Sequence, residues 1–172
     1  MAEGPTYVVK YRRRRAKKTN YKRRLNLIKA RLPRVVARRS NKHLSLQLVE
    51  YQTNGDKILA SAHSSELVKL GWKHSTSNIP AAYLTGLLFG AKVKSLKMHK
   101  AVLDLGMNSL VNGSRLYAAL KGVVDAGVEI PHEDVVFPSE ERLKGEHIAN
   151  HVQKSKDITK DFDSTKSRIL EK

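Results

Sequence analysis

The residues that most clearly suggest chemistry are the cations between Tyr11 and Arg24, in the run YRRRRAKKTNYKRR. Nine of these fourteen residues are basic, and the only acid before Glu50 is Glu3. So many unpaired charges cannot be buried, and their mutual repulsion keeps an isolated segment extended or only partly helical. Guanidinium groups bind phosphate oxygens in a bidentate manner, and Tyr11 and Tyr21 offer rings on which bases can stack. The pattern indicates an arm that is ordered by a polyanion, although a solvated tail or a localisation signal has similar composition.

A second basic cluster follows closely in the chain. Arg34, Arg38, Arg39, Lys42 and His43 lie on or beside a predicted strand and its turn, with the short polar residues Ser40 and Asn41 between them. We expect these side chains to project from an open sheet face or its rim. Cations next to short hydrogen-bonding side chains suit a surface for phosphate and ribose, whereas the plainer interpretation is a solvated hairpin.

The composition supports an anionic partner. Among 172 residues, 33 are Lys or Arg and 16 are Asp or Glu, so the formal net charge is +17. Nucleic acid is favoured over an anionic membrane, because no apolar run is long enough to span a bilayer and the basic arm lacks a large aliphatic face. The chain has no cysteine, which excludes disulfides and thiol catalysis. The first residues lack the apolar core of a secretory signal, so we expect a soluble intracellular protein.

Catalytic interpretations find little support. A metal-dependent nuclease needs clustered carboxylates, whereas Glu50, Asp104 and Asp125 are far apart in the sequence. His147 and His151 have the spacing of two zinc ligands on a helix, but the zinc-protease pattern requires a glutamate where this chain has Ile148. No glycine-rich phosphate loop is present. We therefore expect no enzyme, no cofactor and no metal.

The first half of the chain predicts one helix and three strands. Asn20 can cap a helix that continues to about Leu32, with Tyr21, Leu25, Ile28 and Leu32 on its apolar side. Period-two alternation then predicts strands over 34–39, 44–51 and 57–63. The Asn-Gly pair at 54–55 is typical of a tight hairpin, so the three strands should form an antiparallel meander.

The second half predicts mainly helices. We expect a short helix from Ser64 or Ser65 to Gly71 and a polar loop that contains Trp72. A longer helix capped by Asn78, a fourth strand over 100–105 and a helix over 114–126 follow. This order predicts an α/β fold in which helices pack on one face of a mixed sheet and the other, polar face stays free for a partner.

Composition divides the chain into three parts. Residues 1–32 form the basic arm and its short helix, and residues 33–128 form the α/β globular domain. Residues 129–172 form a C-terminal extension, in which Ser139 can cap a helix that reaches about Val152. From Lys154 the sequence is charged and poor in core residues, which predicts a tail that is mobile or becomes ordered on a partner.

Seven segments, in order, carry a resemblance to a known family. They are YRRRR, the stretch from Asn20 to Leu25, PRVVARRSNKH, ASAHSSEL, NIPAAYLTGLLFG, SRLYAALKGVVDAG and FPSEERLKGEHI. Together they resemble the 5S ribosomal RNA-binding proteins of the large ribosomal subunit, called L-eighteen in archaea and L-five in eukaryotes. The resemblance extends to about His151, and the short length is similar to that of the archaeal members.

This resemblance implies a structural protein that binds 5S ribosomal RNA in the central protuberance. It would help to anchor that RNA to the large-subunit ribosomal RNA beside another 5S-binding protein, in the cytoplasm. Matching motifs imply RNA contacts from Arg12, Arg13, Arg14, Arg15, Lys17, Lys18, Arg23 and Arg24 in the arm, from Arg34, Arg38, Arg39, Ser40, Asn41, Lys42 and His43 on the first hairpin, and from Trp72 and Lys73. The alternative is a general basic RNA chaperone without RNA specificity.

Overall fold

The computed structural model describes residues 4–171 and has the order of elements expected for an α/β fold. The helices are α1 (Arg12–Arg15), α2 (Tyr21–Lys29), α3 (Glu66–Lys69), α4 (Ile79–Ser95), α5 (Arg115–Asp125), α6 (Glu140–Lys144), α7 (Glu146–His151) and α8 (Ile158–Leu170). The strands are β1 (Arg34–Arg39), β2 (Leu44–Glu50), β3 (Lys57–His63) and β4 (Val102–Asp104). Short 3-10 turns lie at Asp134–Val136 and Gln153–Ser155.

The four strands form one mixed sheet in the order β3-β2-β1-β4. Strands β1, β2 and β3 pair antiparallel as the predicted meander, and β4 pairs in parallel with β1. Opposite residues include Val35 with Leu48 and Ala37 with Leu46, so the apolar members of the alternation share one face. The mixed sheet with helices is the predicted fold class, which is confirmed.

Helix α4 occupies the centre of the core. It is buried on almost every side, because it packs against the apolar face of the sheet, against α5 and against α8. A helix that is apolar all round is stable in water only when neighbours cover it in this way. Asn78 caps its first turn by accepting a hydrogen bond from the Ala81 N–H at 2.9 Å, as predicted.

Two glycines allow α4 and α5 to pack closely. A β-carbon on Gly86 would overlap the carbonyl of Ala119, and one on Gly122 would overlap the carbonyl of Tyr83. The two glycines therefore allow close contact between these helices. Within residues 4–171, no helix combines the length and the apolar character that crossing a membrane requires.

The C-terminal extension differs from the expectation. The helix predicted from Ser139 to Val152 is two short helices, α6 and α7, because Gly145 adopts a left-handed φ of +83° between them. The interpretation of the last residues as a mobile tail is wrong over α8, where Ile158, Phe162 and Ile169 are buried. These residues are four and seven positions apart, so they lie on one side of the helix. The charged residues between them make this pattern hard to see in the sequence.

Polar contacts fix α8 on the domain as well. Arg168 donates to the carbonyl of Leu70 at 2.7 Å, and the His74 ring lies 3.0 Å from the Asp161 carboxylate. The Phe162 ring packs 5.6 Å from that of Tyr83. The C-terminal helix is therefore an integral layer of the fold.

We expect Gly86→Ala to destabilise the protein by about 2 kcal/mol, because overpacking of this kind typically costs 1–3 kcal/mol. Helix propensity alone predicts the opposite sign, a gain of roughly 1 kcal/mol for alanine over glycine. Urea unfolding followed by the fluorescence of the single tryptophan, Trp72, measures the difference. Gly122→Ala, whose β-carbon would overlap the Tyr83 carbonyl in the same helix contact, should cost a similar amount. A neutral or stabilising Gly86→Ala would contradict the close contact of α4 with α5.

Candidate nucleic-acid interface

The arm presents its cations to solvent. Arg12–Arg15 form a single helical turn in which every residue is exposed, and Lys17 and Lys18 follow on the surface. Within residues 4–171, Arg13 makes the one side-chain hydrogen bond of these six cations, from Nε to Thr19 Oγ1 at 2.9 Å. This cluster is available to an anionic partner, as predicted from its composition.

The two tyrosines of the arm form an exposed aromatic pair. The rings of Tyr11 and Tyr21 lie edge to face with centroids 5.4 Å apart, and both side chains reach solvent. Such rings can stack on unpaired bases. Their position beside the cations fits the stacking role predicted for Tyr21.

Helix α2 lies over the sheet in an orientation that differs from the predicted one. Asn20 caps it, as expected, by accepting from the Arg23 N–H at 3.1 Å. However, Tyr21 and Leu25 are exposed, whereas Arg23 and Arg24 turn towards the domain. The apolar periodicity was right for the half-buried Ile28 but wrong for Tyr21 and Leu25, because the sheet surface beneath the helix carries carboxylates. The expectation that this sheet face stays free is therefore corrected: α2 covers part of it.

The carboxylates beneath α2 belong to Asp56 and Asp104. Asp56 lies in the turn before β3, and its Oδ2 accepts from Arg24 Nη2 at 2.8 Å and from Arg34 Nη2 at 2.7 Å. Asp104 ends β4, and its Oδ2 accepts from Arg34 Nη1 at 3.2 Å. The parallel pairing of β4 with β1 brings Asp104 close to Arg34. Arg34 therefore lies between the two acids.

Arg34 is therefore a structural residue. The expectation that its side chain projects from the open sheet face is wrong. Only 3% of the residue is exposed. A buried guanidinium is tolerated when charged acceptors surround it, and removal of an acceptor is strongly destabilising. The strand alternation placed Arg34 on the outer face correctly but could not reveal the acids that enclose it.

Arg38 and Arg39 are neighbours with different partners. Arg38 donates to the Asp104 main-chain oxygen at 2.8 Å and contacts its carboxylate at 3.3 Å, although 45% of the side chain is exposed. Arg39 is exposed, and its Nε donates to the Asn108 side chain at 3.3 Å. Among the described residues Arg39 has no carboxylate partner, so its charge is not neutralised within the protein.

The β1–β2 turn presents short polar groups next to these arginines. Ser40 shapes it, since its hydroxyl accepts from the His43 N–H at 2.9 Å. Asn41 and Lys42 are exposed, and their side chains have no hydrogen-bond or salt-bridge partner in the part of the chain that the structure describes. This turn is the solvent-facing polar rim that the sequence predicted.

His43 is less accessible than the rest of the turn. Its Nδ1 lies 3.0 Å from the Thr76 hydroxyl and 3.3 Å from that of Ser64, and its ring packs 4.9 Å from the His63 ring. Nothing in the sequence indicates that His63 is a neighbour of His43. The antiparallel pairing of β2 with β3 brings the two together, since Ser45 lies opposite His63.

Trp72 lies in the loop between α3 and α4, as expected, but its side chain is not on a polar surface. It is 2% exposed, packs in the core and donates from Nε1 to the Ser75 carbonyl at 3.1 Å. Its ring is thus placed to stabilise the fold rather than to stack on a base. Lys73, the next residue, is exposed and remains available to a partner.

A basic cleft of about 270 Å³ runs between the arm, α2 and the outer face of the sheet. Its charged lining consists of six cations and two carboxylates, so the excess charge is positive. The charged residues are Arg13, Lys18, Arg23, Arg24, Arg34, Arg38, Asp56 and Asp104. The cleft joins the arm to the sheet in one basic surface.

The carboxylates and histidines considered for catalysis are not assembled into a site. No group of three potential ligands that could hold a metal ion occurs within residues 4–171. Asp104 is occupied by arginines, and Asp125 accepts a hydrogen bond from the Tyr83 hydroxyl at 2.9 Å. Partial burial and the nearby Arg142 and His151 lower the pKa of His147.

One further acid supports the sheet edge next to His63. Burial raises the pKa of Glu66, but its hydrogen bonds with Lys92 and with the His63 N–H outweigh that effect and lower the pKa below its ordinary value. Lys92 Nζ lies 2.7 Å from the Glu66 carboxylate. Glu66 therefore stays ionised at neutral pH as an internal partner of a lysine.

Comparison with known proteins identifies the class to which this geometry belongs. The family model described as ribosomal large subunit proteins 60S L5 and 50S L18 matches residues 5–100 and 93–133. A large ribosomal subunit protein uL18 from Methanoregula boonei is 50% identical over 169 residues, which cover 98% of this chain and 97% of that protein. The uL18 of Methanococcoides burtonii is 50% identical over 99% of this chain and 98% of its own length. That of Haloarcula marismortui is 48% identical over 95% and 89%.

The fold, the basic surface and these matches define a ribosomal protein with a structural role, not an enzyme. The chain belongs to the family of ribosomal large subunit proteins 60S L5 and 50S L18, as the sequence motifs predicted. The similar proteins are archaeal, in agreement with the expected type.

We expect Asp104→Ala to lower the free energy of unfolding by about 3 kcal/mol, because it leaves the buried Arg34 with one carboxylate and removes an acceptor of Arg38. Urea unfolding monitored by Trp72 fluorescence measures the loss. The matched control is Glu129→Ala, which removes an acid from a salt bridge to Lys100 whose side chains are 70% and 68% exposed. That change should cost no more than about 0.5 kcal/mol. Equal effects of the two substitutions would contradict the structural role of the Arg34 pairs.

Proposed function

We propose that this large-subunit ribosomal protein binds 5S ribosomal RNA and helps to anchor it to the large-subunit ribosomal RNA in the central protuberance. The observation that carries the proposal is the basic cleft between the arm, α2 and the sheet, together with the exposed Arg39 and Lys42 that follow its Arg38 along the chain. Membership of the family supports a place in the cytoplasmic ribosome. The resemblance of the sequence motifs supports 5S RNA as the RNA that is bound.

The first contribution to binding is electrostatic attraction between the protein and RNA. Cations without internal carboxylate partners neutralise RNA phosphates and release counterions, which gives affinity that falls steeply with salt. The residues proposed for this role are Arg12, Arg13, Arg14, Arg15, Lys17, Lys18, Arg23, Arg39, Lys42 and Lys73. Arg24 and Arg38 contribute through donors that their acid partners leave uncovered, and Arg34 supports the surface from beneath.

Selection among RNAs requires contacts that depend on shape. The hydroxyl and amide groups of Ser40 and Asn41, with His43 behind them, can contact ribose 2′-hydroxyls. The Tyr11–Tyr21 pair can stack on an unpaired base. Such contacts favour a folded RNA with loops over a regular duplex. The proposed partners also include neighbouring large-subunit proteins, among them another 5S-binding protein.

The test is binding to 5S ribosomal RNA and to transfer RNA across a salt series, measured by fluorescence anisotropy. We expect affinity for both RNAs to fall with salt and a preference for 5S RNA of at least about tenfold to persist at 0.3 M salt. A pure counterion effect depends on phosphate count and gives no such preference between RNAs of similar charge. Equal binding that disappears with salt for both RNAs would contradict the proposal and favour a general RNA chaperone.

A further inference from the structure

The contacts that hold α2 on the domain are few and mainly polar. None of its nine residues is buried, and its most covered apolar residues, Leu27 and Ile28, are only half-buried. Two side-chain hydrogen bonds join it to the domain: Arg23 to the Gly106 carbonyl at 3.2 Å, and Arg24 to Asp56 at 2.8 Å. Because little apolar area is buried, these polar contacts have a large share in fixing the helix.

The carboxylate of Asp56 is held in place by the globular domain. The same Oδ2 atom that accepts from Arg24 accepts from Arg34 at 2.7 Å, and the buried Arg34 is held in turn by Asp104. One side of the junction is therefore a buried, fixed guanidinium, and the other is a half-exposed side chain on the helix. The carboxylate of Asp56 is the link between them.

An acid at this place is unfavourable for simple electrostatic binding of RNA. Asp56 lies in a cleft where cations predominate, and its charge lowers the positive potential there. If charge alone determined affinity, its removal would strengthen binding. The double contact gives a reason for its presence, since a docked arm loses less conformational freedom when RNA binds.

We propose that Asp56 is a positioning residue for RNA binding, which holds α2, and with it the basic arm, against the sheet before RNA arrives. The inference rests on the proposed function for its RNA ligand. The docking of α2 in the free protein is a separate statement that can be measured without RNA. Loss of the carboxylate should thus weaken binding of 5S ribosomal RNA although it makes the protein more positive.

The test compares Asp56→Asn with Glu50→Gln in the full chain. Both remove one negative charge from the β2–β3 hairpin and keep the shape of the side chain. Glu50 is exposed and makes no side-chain hydrogen bond or salt bridge within residues 4–171. Hydrogen exchange of the free proteins reports on α2, and anisotropy reports on the affinity for 5S ribosomal RNA. Trp72 fluorescence confirms that the core of each variant is folded.

We expect Asp56→Asn, which keeps a neutral oxygen acceptor for Arg34, to speed exchange over 21–29 far more than in β1 and β2, and to weaken binding roughly threefold to tenfold. Glu50→Gln should leave exchange unchanged and bind equally or more tightly. Equal tightening by both variants would overturn the positioning role, as would unchanged exchange in α2. If the wild-type protein shows no preference for 5S RNA, the proposed function fails, while the exchange of α2 still decides whether Asp56 docks the arm.

Discussion

The ion pairs of Arg34 are the interaction on which the arrangement of this protein depends. Arg34 is buried on the outer face of β1 between the carboxylates of Asp104 on β4 and Asp56 in the turn before β3. A charge in this position requires both acceptors, so it constrains β4 beside β1 and the β2–β3 turn above them. Arg24 then attaches α2 to the same acid. The Arg34 guanidinium thus connects β4 and the turn before β3 directly, and it connects α2 through the carboxylate of Asp56.

This network divides the basic residues by their partners. The arginines of the cleft that contact acids stabilise the fold, whereas the cations of the arm and of the β1–β2 turn are exposed and, within residues 4–171, have no acid partner. The distinction matters because counterion release depends on cations that reach phosphates, not on the total of +17. A ribosomal protein of this family can therefore be strongly basic and still contain a well-packed, ordinary core.

Much of the fold could be predicted from the sequence, because local signals and tertiary packing agree there. Alternation in β1, β2 and β3, the Asn54-Gly55 turn and the Asn78 cap indicate elements that the structure contains. Predictions failed where a long-range partner determines the result. The side of α2 that faces the domain is set by Asp56, 32 residues from Arg24, and the burial of Arg34 is set by Asp104, 70 residues away. Periodicity within a segment carries no information about either acid. Asp56 did have one signal, since it is an isolated acid in a very basic half of the chain.

The most direct test of this division compares Arg38→Gln with Arg39→Gln, two neighbours on β1 that differ in having an acid partner. The measurement is the slope of log K against log salt for binding of 5S ribosomal RNA. Each phosphate contact contributes about 0.7–0.9 to that slope. We predict that Arg39→Gln lowers its magnitude by about one contact, whereas Arg38→Gln, whose charge Asp104 balances in part, lowers it clearly less. Equal reductions by both substitutions would show that internal pairing does not determine which cations bind RNA, and would contradict the account.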